Sequence, residues 1–141
     1  MMADEDLGYR NHFYGCMMML KAYVLIVSAT STLQEGLGAL MASIPGVEEL
    51  QQIQGAAQAL HMMEQRQPDL VVLDMEGLEA ETSDILAFIR RHKSATKSLL
   101  LVGGTRQQTQ VQVAGADVAL IKGYPAQELV ETVQALLLAK N

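Results

Sequence analysis

The chain has 141 residues, 50% of them hydrophobic, and a formal net charge of −6 at pH 7. That length suits one domain with a proper core rather than two, and the apolar share excludes a chain disordered as a whole. The acidic balance argues against binding nucleic acid unaided, because the phosphate backbone has to be met by clustered Lys and Arg. The one basic concentration, Arg90, Arg91, His92, Lys93 and Lys97, reads as a solvated helix end. No apolar run reaches the roughly 18 to 20 residues of a membrane span. A single cysteine, Cys16, excludes an internal disulfide and a cysteine-based metal cluster. Met17 to Leu20 is too short, and follows too acidic a start, for a convincing secretory signal. The expected location is therefore the cytoplasm.

Residues 1–20 read as an N-terminal extension, polar at first and then carrying Tyr9, Phe13 and Tyr14 without a clear period. Residues 21–141 read as one domain. Its first strand is the apolar run Tyr23 to Val27, followed by turn chemistry at Ser28, Ala29, Thr30 and Ser31. Leu33, Leu37, Leu40, Met41 and Ile44 have helical spacing, and Pro45-Gly46 stops that helix. Glu49 to Ile53 is expected to be a weak, short strand at or near an edge. Ala56, Ala59, Leu60 and Met63 give the next helix, closed by Pro68.

Asp69-Leu70-Val71-Val72-Leu73-Asp74 then reads as a strand buried on both faces. Ile85, Leu86 and Ile89 mark a third helix, and Ser98 to Val102 a fourth strand ended by Gly103-Gly104. Thr105 to Ala114 is Gln-rich with little apolar face, so its helix has the weakest support. Gly115-Ala116-Asp117 leads into a fifth strand, Val118 to Ile121. Pro125 suits a first helical turn, and Leu129, Val130, Val133, Leu136 and Leu137 form an amphipathic final helix.

Strand and helix alternate five times, which predicts right-handed crossovers and a parallel sheet. The expected fold is a flavodoxin-like (βα)5 doubly wound sheet in three layers, with strand order 2-1-3-4-5. In such sheets ligand chemistry gathers beyond the carboxyl ends of the strands. Those ends carry Ser28 and Ala29, Asp74, Gly103 and Gly104, and Lys122. A strand-end Asp facing a strand-end Lys is the informative pair, since an ammonium keeps a carboxylate ionised and can neutralise charge added to it. An aspartate is also able to accept a phosphoryl group. The plainer reading of the pair is an ion pair at a sheet edge.

Three segments resemble the receiver domains of two-component response regulators: Pro68 to Met75, Ala114 to Asp117 leading into Leu120-Ile121-Lys122, and Pro125 to Leu129. The run Gln34 to Gly46 resembles the first helix of receivers fused to a helix-turn-helix output domain. The resemblance covers residues 22–139. It implies that Asp74 holds the position of the phosphoacceptor, charged by the histidine of a sensor kinase, and that Lys122 contacts the acyl phosphate. It also implies magnesium, a homodimer through the face of helix 4, strand 5 and helix 5, and no enzymatic activity. Tyr124 is expected as an exposed contact on that side. The output function is expected either in a longer parent chain or in the domain acting alone.

The departures from the family pattern bear on mechanism. The two acidic residues that hold the metal after strand one are replaced by Ser28 and Ala29. The hydroxyl after strand four is replaced by Gly103, with Gly104 and Thr105 beyond it. The aromatic switch position is Ala119, and the loop after the acceptor is the short Met75-Glu76-Gly77-Leu78. Glu76, two residues past Asp74, could point into the pocket and supply one carboxylate; the plainer reading is a solvated loop residue. Magnesium is therefore a weak expectation. Two functional classes follow: a phosphorelay receiver, or a degenerate receiver working through protein–protein interaction, to which the missing metal pair tilts the mechanism. The alternative is a small flavodoxin-like ligand-binding or enzymatic domain. It lacks a G-x-G-x-x-G loop after strand one, and His12, His61 and His92 form no constellation.

Overall fold

The computed structural model describes residues 21–92 and 95–139, with the side chains of 31–35 left aside. The expected N-terminal extension, Cys16, His12 and Lys93 lie outside the described residues. Five strands and five helices alternate: β1 (Ala22–Ser28), α1 (Ser31–Ala42), β2 (Val47–Gln54), α2 (Ala56–Gln65), β3 (Leu70–Asp74), α3 (Thr82–Arg91), β4 (Lys97–Val102), α4 (Thr105–Val113), β5 (Val118–Ile121) and α5 (Ala126–Leu138). The strands form one sheet in the order β2-β1-β3-β4-β5, and every neighbouring pair is parallel. This is the flavodoxin-like arrangement that the alternation predicts.

Continuous apolar runs form the central strands because both sheet faces are covered. Val24, Ile26, Leu70, Val72, Leu99 and Leu101 face α1 and α5, meeting Met41, Leu129 and Val133. The alternate residues Leu25, Val27, Val71, Leu73, Leu100 and Val102 face α2, α3 and α4, meeting Ala59, Met63, Ile85, Leu86 and Val111. Each such side chain, fully buried, contributes about 1.5–3 kcal/mol relative to exposure. The sheet is therefore a stiff base for what projects from its edge.

Two elements differ from their sequence reading. β2 is an edge strand, as expected, but it is 8 residues long rather than short. Its outward positions are polar, and Gln51 Oε1 accepts the Tyr23 hydroxyl at 2.6 Å. α4 forms although its apolar face is reduced to one buried residue, Val111. Polar contacts do the anchoring: Gln108 Nε2 donates to the Ala119 carbonyl of β5 at 2.8 Å, and the Gly103 N–H donates to Gln107 Oε1 at 2.8 Å.

Candidate functional site at the carboxyl edge of the sheet

β3 ends at Asp74, whose register partner on β4 is Leu101. Val102, the last residue of β4, pairs with Ile121, the last of β5. The backbone pairing runs one step further on each side: Met75 N–H donates to the Leu101 carbonyl at 3.0 Å, and Lys122 N–H to the Val102 carbonyl at 2.8 Å. Asp74 and Lys122 thus emerge at one level of the sheet, with β4 between them. Two strand spacings are about 9.6 Å, a gap that a long lysine side chain can cross. The intervening strand continues into Gly103 and Gly104, which set no side chain in its way.

The crossing is made. Lys122 Nζ lies 2.8 Å from Asp74 Oδ1 and 2.6 Å from Glu76 Oε2. Asp74 is buried, with 2% of its surface exposed. Its Oδ1 also accepts the Glu76 N–H at 3.1 Å, an Asx-type turn that starts the loop. Leu78 N–H returns to the Met75 carbonyl at 2.8 Å. Gly77 takes φ of +81° in this turn, a left-handed conformation open to glycine. A Cβ at Gly77 would also stand 2.8 Å from that of Ala29, so the loop passes directly over the end of β1. That path turns the Glu76 carboxylate back toward Lys122, although its side chain is otherwise exposed.

The ionisation of the site follows from this geometry. Burial pulls the Lys122 ammonium down, but its hydrogen bonds to Asp74 and Glu76, with their charges, carry it above the ordinary lysine value. The hydrogen bond from Lys122, and then its charge, hold Glu76 below the usual carboxylate range. Burial pushes the Tyr124 phenol up, the Asp74 charge adds to this, and the Lys122 charge opposes it. Tyr124 is half-buried and packs against the α1–α5 side of the core, so the expectation of an exposed contact is corrected. Its ring has apolar neighbours in Leu37, Leu40 and Leu129 beside a cavity of 330 Å³.

The other candidate positions divide into those beside the charged cluster and those spent elsewhere. Ser28 is buried, and its hydroxyl donates to the Thr30 carbonyl at 2.7 Å. Ala29 is exposed beside Gly77. Thr105 opens α4, is exposed, and its carbonyl accepts the Thr109 hydroxyl. Ala119 is buried in the core that faces α4.

Magnesium does not fit this donor set. A hard cation of that size wants several oxygen ligands, with carboxylates carrying the charge. The two carboxylates available are already bridged by an ammonium, the Ser28 hydroxyl is turned into its own loop, and Ala29 offers no donor. Among the described residues no group of three or more His, Cys, Asp or Glu side chains is placed to hold a metal ion.

Two carboxylates escaped the sequence reading, both at the opposite edge. Asp69 Oδ2 accepts the Tyr23 N–H at 2.8 Å, tying the entry of β3 to β1. Asp117 Oδ2 accepts the Ser98 N–H at 2.8 Å, and Ser98 Oγ accepts the Asp117 N–H at 3.0 Å, tying β5 to β4. The available signal was an Asp immediately before each of two apolar runs.

Comparison with known proteins agrees at the level of the fold. No protein-family model and no curated protein matches the chain. Among solved structures it is similar to a two-component response regulator of the LuxR family from Aurantimonas sp. SI85-9A1, with 24% identity and a TM-score of 0.71, covering 85% of this chain and 87% of that one. The signal receiver domain of a DNA-binding response regulator from Colwellia psychrerythraea 34H gives a TM-score of 0.73 at 15% identity, covering 82% of this chain and 98% of that one. The receiver domain of the Francisella response regulator 1452 gives 0.70 at 16%, covering 84% and 98%. The chain has the fold of response-regulator receiver domains.

Proposed function

We propose that this chain is a receiver-type module of two-component signalling that works through protein–protein contacts, with Asp74 kept as the acceptor position and closed by Lys122. The observation that supports this reading best is the Lys122 ammonium lodged between Asp74 and Glu76, at 2.8 and 2.6 Å. Phosphoryl transfer to a carboxylate relies on positioning and on neutralising the charge that collects there. A single ammonium, already shared between two carboxylates, is a poor neutraliser for a further dianionic group.

The partners of this reading are a histidine kinase or another signalling protein of the same pathway, in the cytoplasm. A homodimer would use the α4–β5–α5 face. There Arg106 is the one charge on α4, and Val113 is 81% exposed, which favours a neutral contact over an ionic one. The net charge of −6 supports signalling without direct contact to nucleic acid. No helix among the described residues is long and apolar enough to cross a membrane. The module acts as a signalling element and not as an enzyme.

The test is incubation with acetyl phosphate and magnesium, under conditions that charge an ordinary receiver, followed by intact-mass measurement. The expected result is no added phosphoryl group. Stoichiometric addition that disappears in Asp74→Asn overturns the closed-site reading and returns the chain to the phosphorelay.

A further inference from the structure

We propose that Glu76 is a built-in stand-in for a phosphoryl group, holding Lys122 across the carboxyl edge of the sheet in the way that a charge added to Asp74 would have to hold it. The inference rests on reading Asp74 as the acceptor position. Its own basis is geometric.

An acyl phosphate on Asp74 would place anionic oxygens just beyond the carboxylate, and Lys122 is the cation that reaches that place. Glu76 Oε2 already sits 2.6 Å from Nζ, closer than Asp74 Oδ1 at 2.8 Å. The loop is shaped to deliver it. The Glu76 N–H is held by Asp74, Gly77 turns at φ +81°, and the Gly77 N–H donates to Glu79 Oε1 at 2.8 Å. Glu76 therefore ties the loop after β3 to the end of β5 without any modification of Asp74. Two consequences follow. The connection between these two strand ends is made without modification, so the loop after β3 and the loop after β5 are already joined in the unmodified chain. A phosphoryl group arriving at Asp74 would have to displace Glu76 from Lys122 before gaining its contact.

The stand-in is tested on the full chain by competitive acylation of lysines with an N-hydroxysuccinimide ester at pH 8, read by peptide mass spectrometry. Lys21 and Lys97 serve as internal references. Acylation needs the free amine, whose fraction falls about tenfold for each pH unit by which an ammonium is stabilised. Lys122 is expected to label several-fold more slowly than Lys21 in the wild-type chain. In Glu76→Gln its labelling rises toward that of Lys21. Glu76 is at the surface, so this variant is expected to fold, and circular dichroism checks that it does.

Labelling of Lys122 that is fast in the wild type, or unchanged by Glu76→Gln, overturns the stand-in whatever the phosphodonor does. Phosphoryl uptake at Asp74 of the wild-type chain overturns the closed-site reading, whatever the labelling. The two failures are thus separable. Uptake by Glu76→Gln alone supports the stand-in and assigns the closure of the site to this one side chain.

Discussion

The two edges of the sheet use the same residue type for opposite ends. At the amino edge, Asp69 and Asp117 each give a carboxylate oxygen to a backbone N–H of a neighbouring strand, Tyr23 and Ser98, at 2.8 Å. Those carboxylates finish the hydrogen-bonding ladder where it starts. At the carboxyl edge, Asp74 and Glu76 converge on a side-chain cation instead. A carboxylate that accepts the backbone N–H of a neighbouring strand is a structural cap, and its geometry is fixed by the ladder; the N–H that Asp74 accepts belongs to its own loop. A carboxylate whose partner is a lysine on another strand has a partner that can be exchanged. The difference separates fixed caps from an exchangeable ion-pair cluster on a single sheet.

Removing the exchangeable partner should have the largest effect. Lys122→Met leaves Asp74, 2% exposed, without its ammonium. Stranding one member of a fully buried ion pair costs about 3–5 kcal/mol. The Lys122 side chain is 30% exposed, so water partly compensates and a loss of about 2 kcal/mol is expected. Urea unfolding measures it. Adding Asp74→Asn to Lys122→Met should restore most of the loss, because the neutral amide removes the stranded charge. A midpoint for Lys122→Met equal to that of the wild type would mean that the pair holds nothing together.

Cutting a cap at the other edge should cost less. Asp69→Ala removes the acceptor of the Tyr23 N–H on β1, and Tyr23 is 3% exposed. A buried donor left without its partner costs about 1–3 kcal/mol. The expected loss lies at the lower part of that range, since Asp69 is only half-buried and water can enter beside it. Asp69→Asn keeps an acceptor oxygen for the Tyr23 N–H and should lose less than Asp69→Ala. That contrast is the signature of a cap. If Asn were as damaging as Ala, the charge rather than the hydrogen bond would be the working part, and the two edges would cease to differ.

The sequence made one half of this contrast legible. The run Leu70 to Leu73 is apolar at every position because both faces of β3 are covered, and that pattern places Asp74 at a strand end without further information. Lys122 follows from the same logic after Val118 to Ile121. What was hidden has physical causes. The Gln-rich stretch 105–113 lacks a helical apolar stripe because Gln108 and Gln107 fasten α4 by hydrogen bonds to Ala119 and Gly103. β2 seemed short because an edge strand can leave Gln side chains outward along its whole length. Glu76 stands two residues from Asp74 in the chain, but its reach to Lys122 depends on a turn at Gly77 whose direction no periodicity reports. Tyr124 lies in a loop in the sequence, and only the packing of α1 and α5 covers its ring.

The smallest effect concerns pH, and its sign differs between the two members of the bridge at the carboxyl edge. Lys122 is raised above its ordinary value, so the stability it contributes is complete below the unfolded lysine value near ~10.4 and is lost as pH climbs through the folded one. Glu76 is lowered, so its share is present above the unfolded carboxylate value near ~4.3 and is lost as pH falls through the folded one. The bridge is therefore complete between these limits and fades on both sides. Glu76 is exposed, and exposed pairs add little to unfolding free energy. The difference between wild type and Glu76→Gln should then be small in urea at pH 7, smaller still in molar salt, and absent in acid once the wild-type carboxylate is protonated. If the Glu76→Gln difference persisted undiminished in acid, Glu76 would be acting through packing of its loop, and Lys122 would belong to Asp74 alone.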